Sequence, residues 1–276
     1  MEMQEKGADM GSAKREKPDH RFLRSEILLG ALPFQCLAAA HVVVVGYGAV
    51  GSAAAEALVR SGVGHIRIID ADVYDLTNIN RQLGAEEGTI GRSKVSVGLE
   101  HFKAIHPEID AEAHEIYVGE NTMDTVFAPF KDGVEPEIII DAIDTLQAKV
   151  ALIAASCSAG KRVYSSMGAA RKTQPEKIKF ADISKTEVCP LAREVRKRLK
   201  KMGIFKGVWC VYSTEEVESS SHQAGNMSGD AIVKRPKLGS LMTVTASFGL
   251  RIAAECIREI TSSVEKGDTD ETPFAK

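Results

Sequence analysis

The 276-residue sequence predicts an α/β fold, a doubly wound and mostly parallel sheet of the Rossmann-like type with a basic C-terminal elaboration. As far as about residue 170, β-branched apolar runs alternate with helix-like segments, which is the pattern of a parallel sheet covered by helices. The glycine-rich turn GYGAVG (46–51) follows the first run, where α/β nucleotide-binding domains carry their phosphate-binding turn. Beyond residue 170 the apolar spacing changes and positive charge accumulates.

The predicted organisation begins with a disordered tail at residues 1–19, which are polar, mixed in charge and without periodicity. A Rossmann-like nucleotide-binding domain is predicted over 20–170, and RFLRSEILLG (21–30) opens it as a short helix. An elaboration over 171–262 and a C-terminal tail over 263–276 complete the chain.

After its opening helix, the first domain contains four predicted strands and three predicted helices. The strands, most of them continuous apolar runs, lie at 41–46, 65–70, 137–144 and 161–168. The helices lie at 49–62, 91–107 and 146–160. Gly62, Pro107 and Gly160 end these helices, because glycine adopts the left-handed conformation at a helix end and proline cannot continue a helix.

The elaboration is predicted to contain a strand at 176–183, in a separate sheet region, and a helix that begins at Pro190. One apolar stripe at helical spacing marks the buried face of this helix: Leu191, Val195, Leu199 and Met202. Arg198 falls nearer the stripe, where its stem can lie on apolar surface with its charge in water. The polar side of the helix carries five other cations: Arg193, Arg196, Lys197, Lys200 and Lys201. Residues 215–240, rich in serine and glycine, predict a mobile loop before a closing helix at 240–260.

The composition is that of a soluble cytoplasmic protein. The five cysteines form no CxxC pair, which indicates neither a zinc knuckle nor a disulfide framework and suits a reducing compartment. No apolar run approaches the roughly 20 residues needed to span a bilayer, and the N-terminus lacks the apolar core of a signal peptide. We therefore predict a cytoplasmic location and no membrane span.

Positive charge is concentrated in residues 161–206, which carry 14 Lys and Arg against 4 Asp and Glu, a local charge of +10. Since the whole chain has a net charge of −3, the remainder sums to −13. This asymmetry predicts a polyanionic partner, with nucleic acid as the leading candidate. A solvated basic face is the alternative interpretation.

The glycine turn predicts a phosphate site. Gly46 permits the tight turn, Gly48 lets phosphate approach the backbone, and Gly51 allows close packing of helix against strand. The following helix presents free N–H groups to phosphate at its N-terminus. Asp70 ends the second strand, where its carboxylate can accept hydrogen bonds from ribose hydroxyls. These features alone favour an NAD-dependent dehydrogenase.

The segment beyond the ribose carboxylate favours a triphosphate instead. Asn78, Arg81 and Gln82 follow Asp70, and the planar fork of Arg81 suits phosphate oxygens. Lys94 adds a second cation at the head of a helix, and Asp144, at the end of a predicted strand, could hold Mg²⁺. Two cations and a metal-binding carboxylate fit attack at phosphorus with pyrophosphate leaving. The structural alternatives are surface ion pairs for the two cations and helix capping for Asp144.

The pattern GxGxxG…D…NxxRQ…K…DxxD resembles the ubiquitin-activating-type adenylyltransferases. The resemblance implies a homodimer in which an N-terminal arginine reaches the partner subunit's site, with Arg24 as the first candidate and Arg21 as the second. It implies Mg²⁺ near Asp144, and it implies ATP binding by Gly46, Gly48, Gly51, Asp70, Asn78, Arg81, Gln82 and Lys94.

Within that superfamily, activators of sulfur-carrier proteins usually have two zinc-binding CxxC pairs, which this sequence lacks. From about residue 20 to 262 the chain resembles the tRNA threonylcarbamoyladenosine dehydratases, with CVYSTE (210–215) and the basic helix as the more specific features. This resemblance implies that ATP activates the carboxylate of the modified tRNA adenosine and that a ring then closes with release of AMP.

Two other functions remain as alternatives. The first is an adenylyltransferase that activates the C-terminus of a sulfur-carrier protein and has a sulfur-transfer protein as partner. The second is a non-enzymatic dinucleotide-binding module. Cys210 could form a thioester as in some relatives, but we favour a buried strand cysteine, because the intramolecular reaction needs no carrier thiol.

Overall fold

The structure, a computed structural model, describes residues 21–216 and 238–262. The tails predicted at 1–19 and 263–276 lie outside these residues, as do residues 217–237 of the predicted mobile loop.

The described residues form one seven-stranded sheet flanked by helices. The strands are β1 His41–Val45, β2 His65–Ile69, β3 Asp110–His114, β4 Ile138–Asp141, β5 Arg162–Ser166, β6 Ile178–Asp182 and β7 Trp209–Ser213. The helices are α1 Leu23–Leu29, α2 Ala31–Ala39, α3 Ala49–Ser61, α4 Lys94–Ile105, α5 Met123–Phe127, α6 Leu146–Ser158, α7 Pro190–Lys201 and α8 Met242–Ser262.

The strand order is β3-β2-β1-β4-β5-β7-β6, and the pairs are parallel except for β6 against β7. This arrangement confirms the predicted doubly wound α/β fold. The expected separate sheet region for β6 is wrong, because β6 pairs with β7 over its whole length, with Phe180 opposite Val211. Its pairing covers the edge that β7 would otherwise leave open.

Two features of the sheet differ from the sequence prediction. Strand β3 was not predicted, because its sequence DAEAH alternates polar and small residues instead of forming an apolar run. Strand β4 ends at Asp141 rather than at residue 144. After Asp141 the chain turns, and the Asp141 carboxylate accepts a hydrogen bond from the Ile143 N–H at 3.1 Å.

Helix α8 closes the fold over the glycine-rich helix. Phe248 and Ile252 of α8 lie in the same buried cluster as Leu58 of α3 and Val42 of β1. Helix α3 ends at Gly62, which adopts the left-handed conformation (φ 109°) as predicted, and its N–H bonds the Val59 carbonyl. The packing of α8 thus holds α3, whose N-terminus lies at the glycine turn.

The basic helix α7 begins at Pro190 as predicted, but its buried face is shifted. Ala192, Val195 and Leu199 are buried, whereas Met202 lies beyond the helix end and is 55% exposed. Arg198, which the sequence places nearer the stripe, is exposed, whereas the guanidinium of Arg196 donates to the Ile183 and Thr186 carbonyls at 3.1 and 3.0 Å. No helix among the described residues is long and apolar enough to cross a membrane.

Candidate active site

The glycine turn lies where the strand order reverses. Strand β1 pairs with β2 on one side and with β4 on the other, and the chain winds outward in both directions from this point. Gly46 follows β1 directly, and its N–H donates to the Ile69 carbonyl at 2.8 Å. Ligands of open α/β sheets bind at the carboxyl ends of the strands beside such a reversal.

Two glycines of the turn have no space for a side chain. Gly46 has φ +89°, and a Cβ there would lie 2.7 Å from the Ala142 carbonyl oxygen. A Cβ on Gly51 would lie 1.8 Å from the Gly46 carbonyl oxygen, so the turn and α3 pack backbone to backbone. At Gly48 the nearest atom to a Cβ would be Gln82 Nε2, 3.9 Å away, which leaves open space above the turn.

Asp70 is tied to the glycine turn by its own carboxylate. It accepts hydrogen bonds from the Tyr47 N–H at 2.6 Å and the Asp72 N–H at 2.8 Å. Burial raises the pKa of the Asp70 carboxyl, although the charge of Lys94 and these two backbone donors oppose the rise. The carboxylate therefore lies next to the open space above Gly48, where it can accept further hydrogen bonds from hydroxyl groups.

Lys94 brings a buried ammonium group to the same place. It is the first residue of α4, is 5% exposed, and its Nζ lies 2.7 Å from Asp72 Oδ2. The alternative interpretation of Lys94 as a surface ion pair is correct for the pairing but not for its position, because Asp72 is exposed whereas Lys94 is buried. An ammonium has three donors, so this contact leaves donors for an anionic ligand.

The segment Asn78–Gln82 reaches the open space above Gly48 through Gln82. Asn78 has a structural role, since its Oδ1 accepts from the Asp75 N–H and closes a capping box. Arg81 donates through Nη1 to the Thr77 carbonyl at 2.7 Å and to Asn80 Oδ1 at 2.9 Å. Gln82 is 8% exposed, and its buried Oε1 has no hydrogen-bond partner among the described residues. The amide nitrogen Nε2 of the same side chain is the atom that lies beside Gly48.

The aspartate that ends β4 and the aspartate in the loop after it differ in environment. Asp144 does not end the strand as predicted; it lies in the exposed loop that follows, where the Thr145 hydroxyl is 3.3 Å from its Oδ1. Asp141 ends the strand and is fully buried. Its Oδ2 accepts from Lys149 Nζ at 2.6 Å and from the Ser165 hydroxyl at 2.5 Å. Asp141 therefore has a structural role.

Lys149 was missed by the sequence analysis. It is fully buried on α6, and its Nζ also donates to the Ser166 carbonyl at 2.9 Å. The available signal was a single charged residue in the otherwise apolar segment LQAKVALIAASCS, because a lysine is almost never fully buried unless it is paired. Together with Asp141 it connects the ends of β4 and β5 beneath the loop that carries Asp144.

The N-terminal arginines lie far from the glycine turn within one chain. Phe22, between Arg21 and α1, packs near Gly62 at the C-terminal end of α3. Since α3 has 13 residues, that end is about 20 Å from the turn. Arg24 therefore lies too far from the glycine turn of its own chain to contact a ligand there.

The environment of Cys210 decides whether its thiol can act as a nucleophile. Its side chain is fully buried in β7, and burial raises the pKa of its thiol far above the ordinary value. A buried, protonated thiol is a poor nucleophile, which agrees with the structural interpretation of this cysteine.

Comparisons with known proteins give the chain a family. The model of the ThiF family matches residues 24–274. A tRNA threonylcarbamoyladenosine dehydratase of Bacillus subtilis is 36% identical over 252 residues, which is 89% of this chain and 96% of that protein.

Solved structures agree with this result. The crystal structure of the Escherichia coli tRNA N6-threonylcarbamoyladenosine dehydratase in complex with AMP has a TM-score of 0.78 and 32% identity, covering 90% of this chain and 96% of its own. The structure of the same enzyme in complex with ATP has a TM-score of 0.76 and also covers 90% of this chain and 96% of its own. An adenylyltransferase and sulfurtransferase of Candida glabrata is 28% identical over only 54% of this chain and 33% of its own length. The chain belongs to the ThiF family.

Proposed function

We propose that this protein catalyses the ATP-dependent dehydration of threonylcarbamoyladenosine in tRNA, by adenylation of the carboxylate and closure of a ring. The observation that carries the proposal is the buried ammonium of Lys94 beside Asp70, at the open glycine turn. Hydride transfer needs no such cation, whereas departure of pyrophosphate does. Relatives that match almost their whole length carry this activity in their names.

ATP fits the glycine turn with its ribose at Asp70 and its phosphates at the N-terminus of α3. Gly48 leaves room for a phosphate, and Nε2 of Gln82, which lies beside this room, can donate a hydrogen bond to the nucleotide. Arg81 and Lys94 then neutralise the phosphates that leave. Asn78 contributes by fixing the turn that carries Arg81 rather than by a contact of its own.

The reaction has two steps. A carboxylate oxygen of the substrate attacks the α-phosphorus of ATP, and the bond to pyrophosphate breaks. A nucleophile in the same substituent then attacks the activated carbonyl carbon, and AMP leaves with one carboxylate oxygen. Confinement of both groups in one substituent gives the second step a large effective concentration. The protein positions the reactants and stabilises the developing negative charge.

Mg²⁺ fits Asp144 better than Asp141. The Asp144 carboxylate is exposed and close in sequence to Ala142, which contacts the glycine turn, whereas both oxygens of Asp141 are engaged by the protein. When bound, the ion would neutralise phosphate charge. Asp144 would hold it with solvent and phosphate oxygens as the remaining ligands.

The active protein is proposed to be a homodimer. Helices α1 and α2 expose four large apolar side chains on the described surface, which a second copy could cover: Leu23, Ile27, Leu28 and Leu32. Arg24 lies among them and would enter the partner subunit's site, which its distance from its own glycine turn supports.

The tRNA is proposed to lie against the basic segment 161–206, in the cytoplasm, where reduced cysteines are stable. On α7 the cations Arg193, Lys197, Arg198, Lys200 and Lys201 are exposed. Arg196 uses Nη1 of its guanidinium to bind carbonyl groups of the preceding loop, so it is not counted among these exposed cations. Phosphate contacts of this kind would position the tRNA without reading its sequence.

Activation of a sulfur-carrier protein with a sulfur-transfer partner remains the alternative proposal. The burial of Cys210 disfavours versions of it that need a thioester on that residue.

One assay separates the candidate functions. The full-length protein is incubated with ATP, Mg²⁺ and tRNA that carries the open threonylcarbamoyl group, and nucleosides are then analysed by mass. We expect loss of one water per modified adenosine, with stoichiometric AMP and pyrophosphate, and no AMP with unmodified tRNA. Pyrophosphate exchange that depends on a carrier protein with a Gly-Gly tail, without loss of water, would favour the alternative. Binding of NAD without pyrophosphate release would contradict both.

A further inference from the structure

A second cluster of titratable side chains lies at the amino ends of the strands, opposite the glycine turn. His41 begins β1 and His65 begins β2 beside it. His41 Nε2 is 2.8 Å from Asp132 Oδ2, and His65 Nδ1 is 3.8 Å from the same oxygen. Asp110, which begins β3, places its Oδ2 3.2 Å from His65 Nδ1. The cluster is about 16 Å from the turn, because five strand residues separate them.

One buried atom of the cluster has no hydrogen-bond partner within residues 21–216 and 238–262. His41 is 4% exposed, and its Nδ1 has no hydrogen-bond partner among the described residues. The proposed dehydration reaction takes place at the carboxyl ends of the strands and does not use these groups. Two carboxylates and two imidazoles are thus held together for a reason that the proposed reaction does not supply.

The ligand atoms suit a borderline divalent cation. His41 Nε2, His65 Nδ1 and Asp132 Oδ2 all lie within 4.8 Å of one another. Ligands of one tetrahedral Zn²⁺ ion lie about 3.3 Å apart, since the bonds are about 2.0–2.2 Å. Imidazole nitrogen with carboxylate oxygen favours Zn²⁺, Co²⁺ or Ni²⁺ over Mg²⁺ and Ca²⁺, which prefer oxygen ligands alone.

Binding requires one local movement. The two imidazole rings are stacked with centroids 4.0 Å apart and an interplanar angle of 15°, so an ion in the plane of one ring lies outside the plane of the other. The His65 side chain is 24% exposed against 5% for His41, so His65 is the ring that can tilt. Lys131 Nζ, 3.5 Å from Asp110 Oδ1, is on a 74% exposed side chain and can leave the carboxylate.

We propose that His41, His65 and Asp132 bind a divalent transition-metal ion, with Zn²⁺ as the preferred ion and Asp110, beside His65, as the candidate fourth ligand. The ion would tie the amino ends of three parallel strands to the loop that carries Asp132. Its role is structural, because the site is remote from the glycine turn.

The test uses the full-length protein after removal of metal by a chelator. Co²⁺ is titrated and followed by its visible absorption, which is intense only for tetrahedral coordination, and Zn²⁺ affinity is measured by competition with a chromogenic chelator. We expect one tight equivalent and a raised Tm with Zn²⁺. His65→Gln and Asp132→Asn should each weaken Zn²⁺ binding by at least about 100-fold, because loss of a ligand costs no less than loss of a group that only orients one.

His101→Gln is the matched control, because His101 is an exposed histidine on α4 that pairs with Glu56. It should leave the affinity and the Co²⁺ spectrum unchanged. Asp132 lies on an exposed loop, so its variant tests the site without burying a new group. Absence of the Co²⁺ absorption, or equal Zn²⁺ affinity in the wild type and both variants, would overturn the proposal. Dehydration activity is measured in parallel and should be the same in all variants.

Discussion

Replacement of Lys94 or Arg81 by alanine is expected to abolish AMP formation, with a loss of at least about 100-fold in kcat, as for removal of one charge-stabilising donor. The physical reason is that both cations would meet charge that develops as pyrophosphate leaves. Lys94 is buried and, within the part of the chain that the structure describes, its ammonium pairs with one carboxylate, the exposed one of Asp72, so its removal should affect catalysis more than folding. The measurement is the rate of AMP release with ATP and the modified tRNA.

Two controls define this result. Lys103→Ala removes an exposed lysine from the same helix α4 and should leave the rate unchanged. Arg81→Lys keeps the charge but loses the planar fork, so a partial rate would indicate that geometry as well as charge matters. Turnover at the wild-type rate in both alanine variants would remove the phosphate role from these residues.

The largest expected effect on stability is that of Lys149→Met. This change leaves Asp141 buried and without its counter-ion, and breaking a buried pair in this way costs about 3–5 kcal/mol. The loop that carries Asp144 should also loosen, because Asp141 holds the Ile143 N–H. The measurement is the free energy of unfolding from urea titration.

A double-mutant cycle tests whether the pair is the cause. Asp141→Asn combined with Lys149→Met should recover much of the loss, since no charge is then left buried. Lys161→Met serves as the matched control, because the partner of Lys161 is the exposed Glu135, and its cost should be much smaller. A cost below about 1 kcal/mol for Lys149→Met would contradict a structural role of the pair.

The nucleotide-binding half of the fold could be predicted because its signals are local. Continuous β-branched runs predict β1, β2 and β4, which are buried on both faces, and glycines predict the ends of α3 and α6. Strand β3 lies at the sheet edge with a polar alternating sequence, so periodicity did not distinguish it from a loop. The antiparallel return of β6 depends on an edge that only the folded sheet provides.

The candidate site was predicted in part for the same reason. Gly46, Gly51, Asp70 and Lys94 lie within motifs of fixed spacing, and the fold brings them to one place. The pairing of Lys149 with Asp141 depends on how α6 packs against β4 and β5. The spacing of residues along the sequence does not predict this packing. The shift of the strand end from residue 144 to Asp141 has the same origin, because the turn is set by the Asp141 carboxylate.

The central claim is that a substrate carboxylate attacks ATP at the glycine turn. The most direct measurement uses tRNA whose threonylcarbamoyl carboxylate carries oxygen-18, followed by mass analysis of the nucleotides after a single turnover. Adenylation predicts AMP that carries one heavy oxygen, because the carboxylate oxygen leaves with the phosphate. Formation of ADP with the heavy oxygen in inorganic phosphate would contradict the account, since attack would then be at the terminal phosphorus, and so would unlabelled AMP.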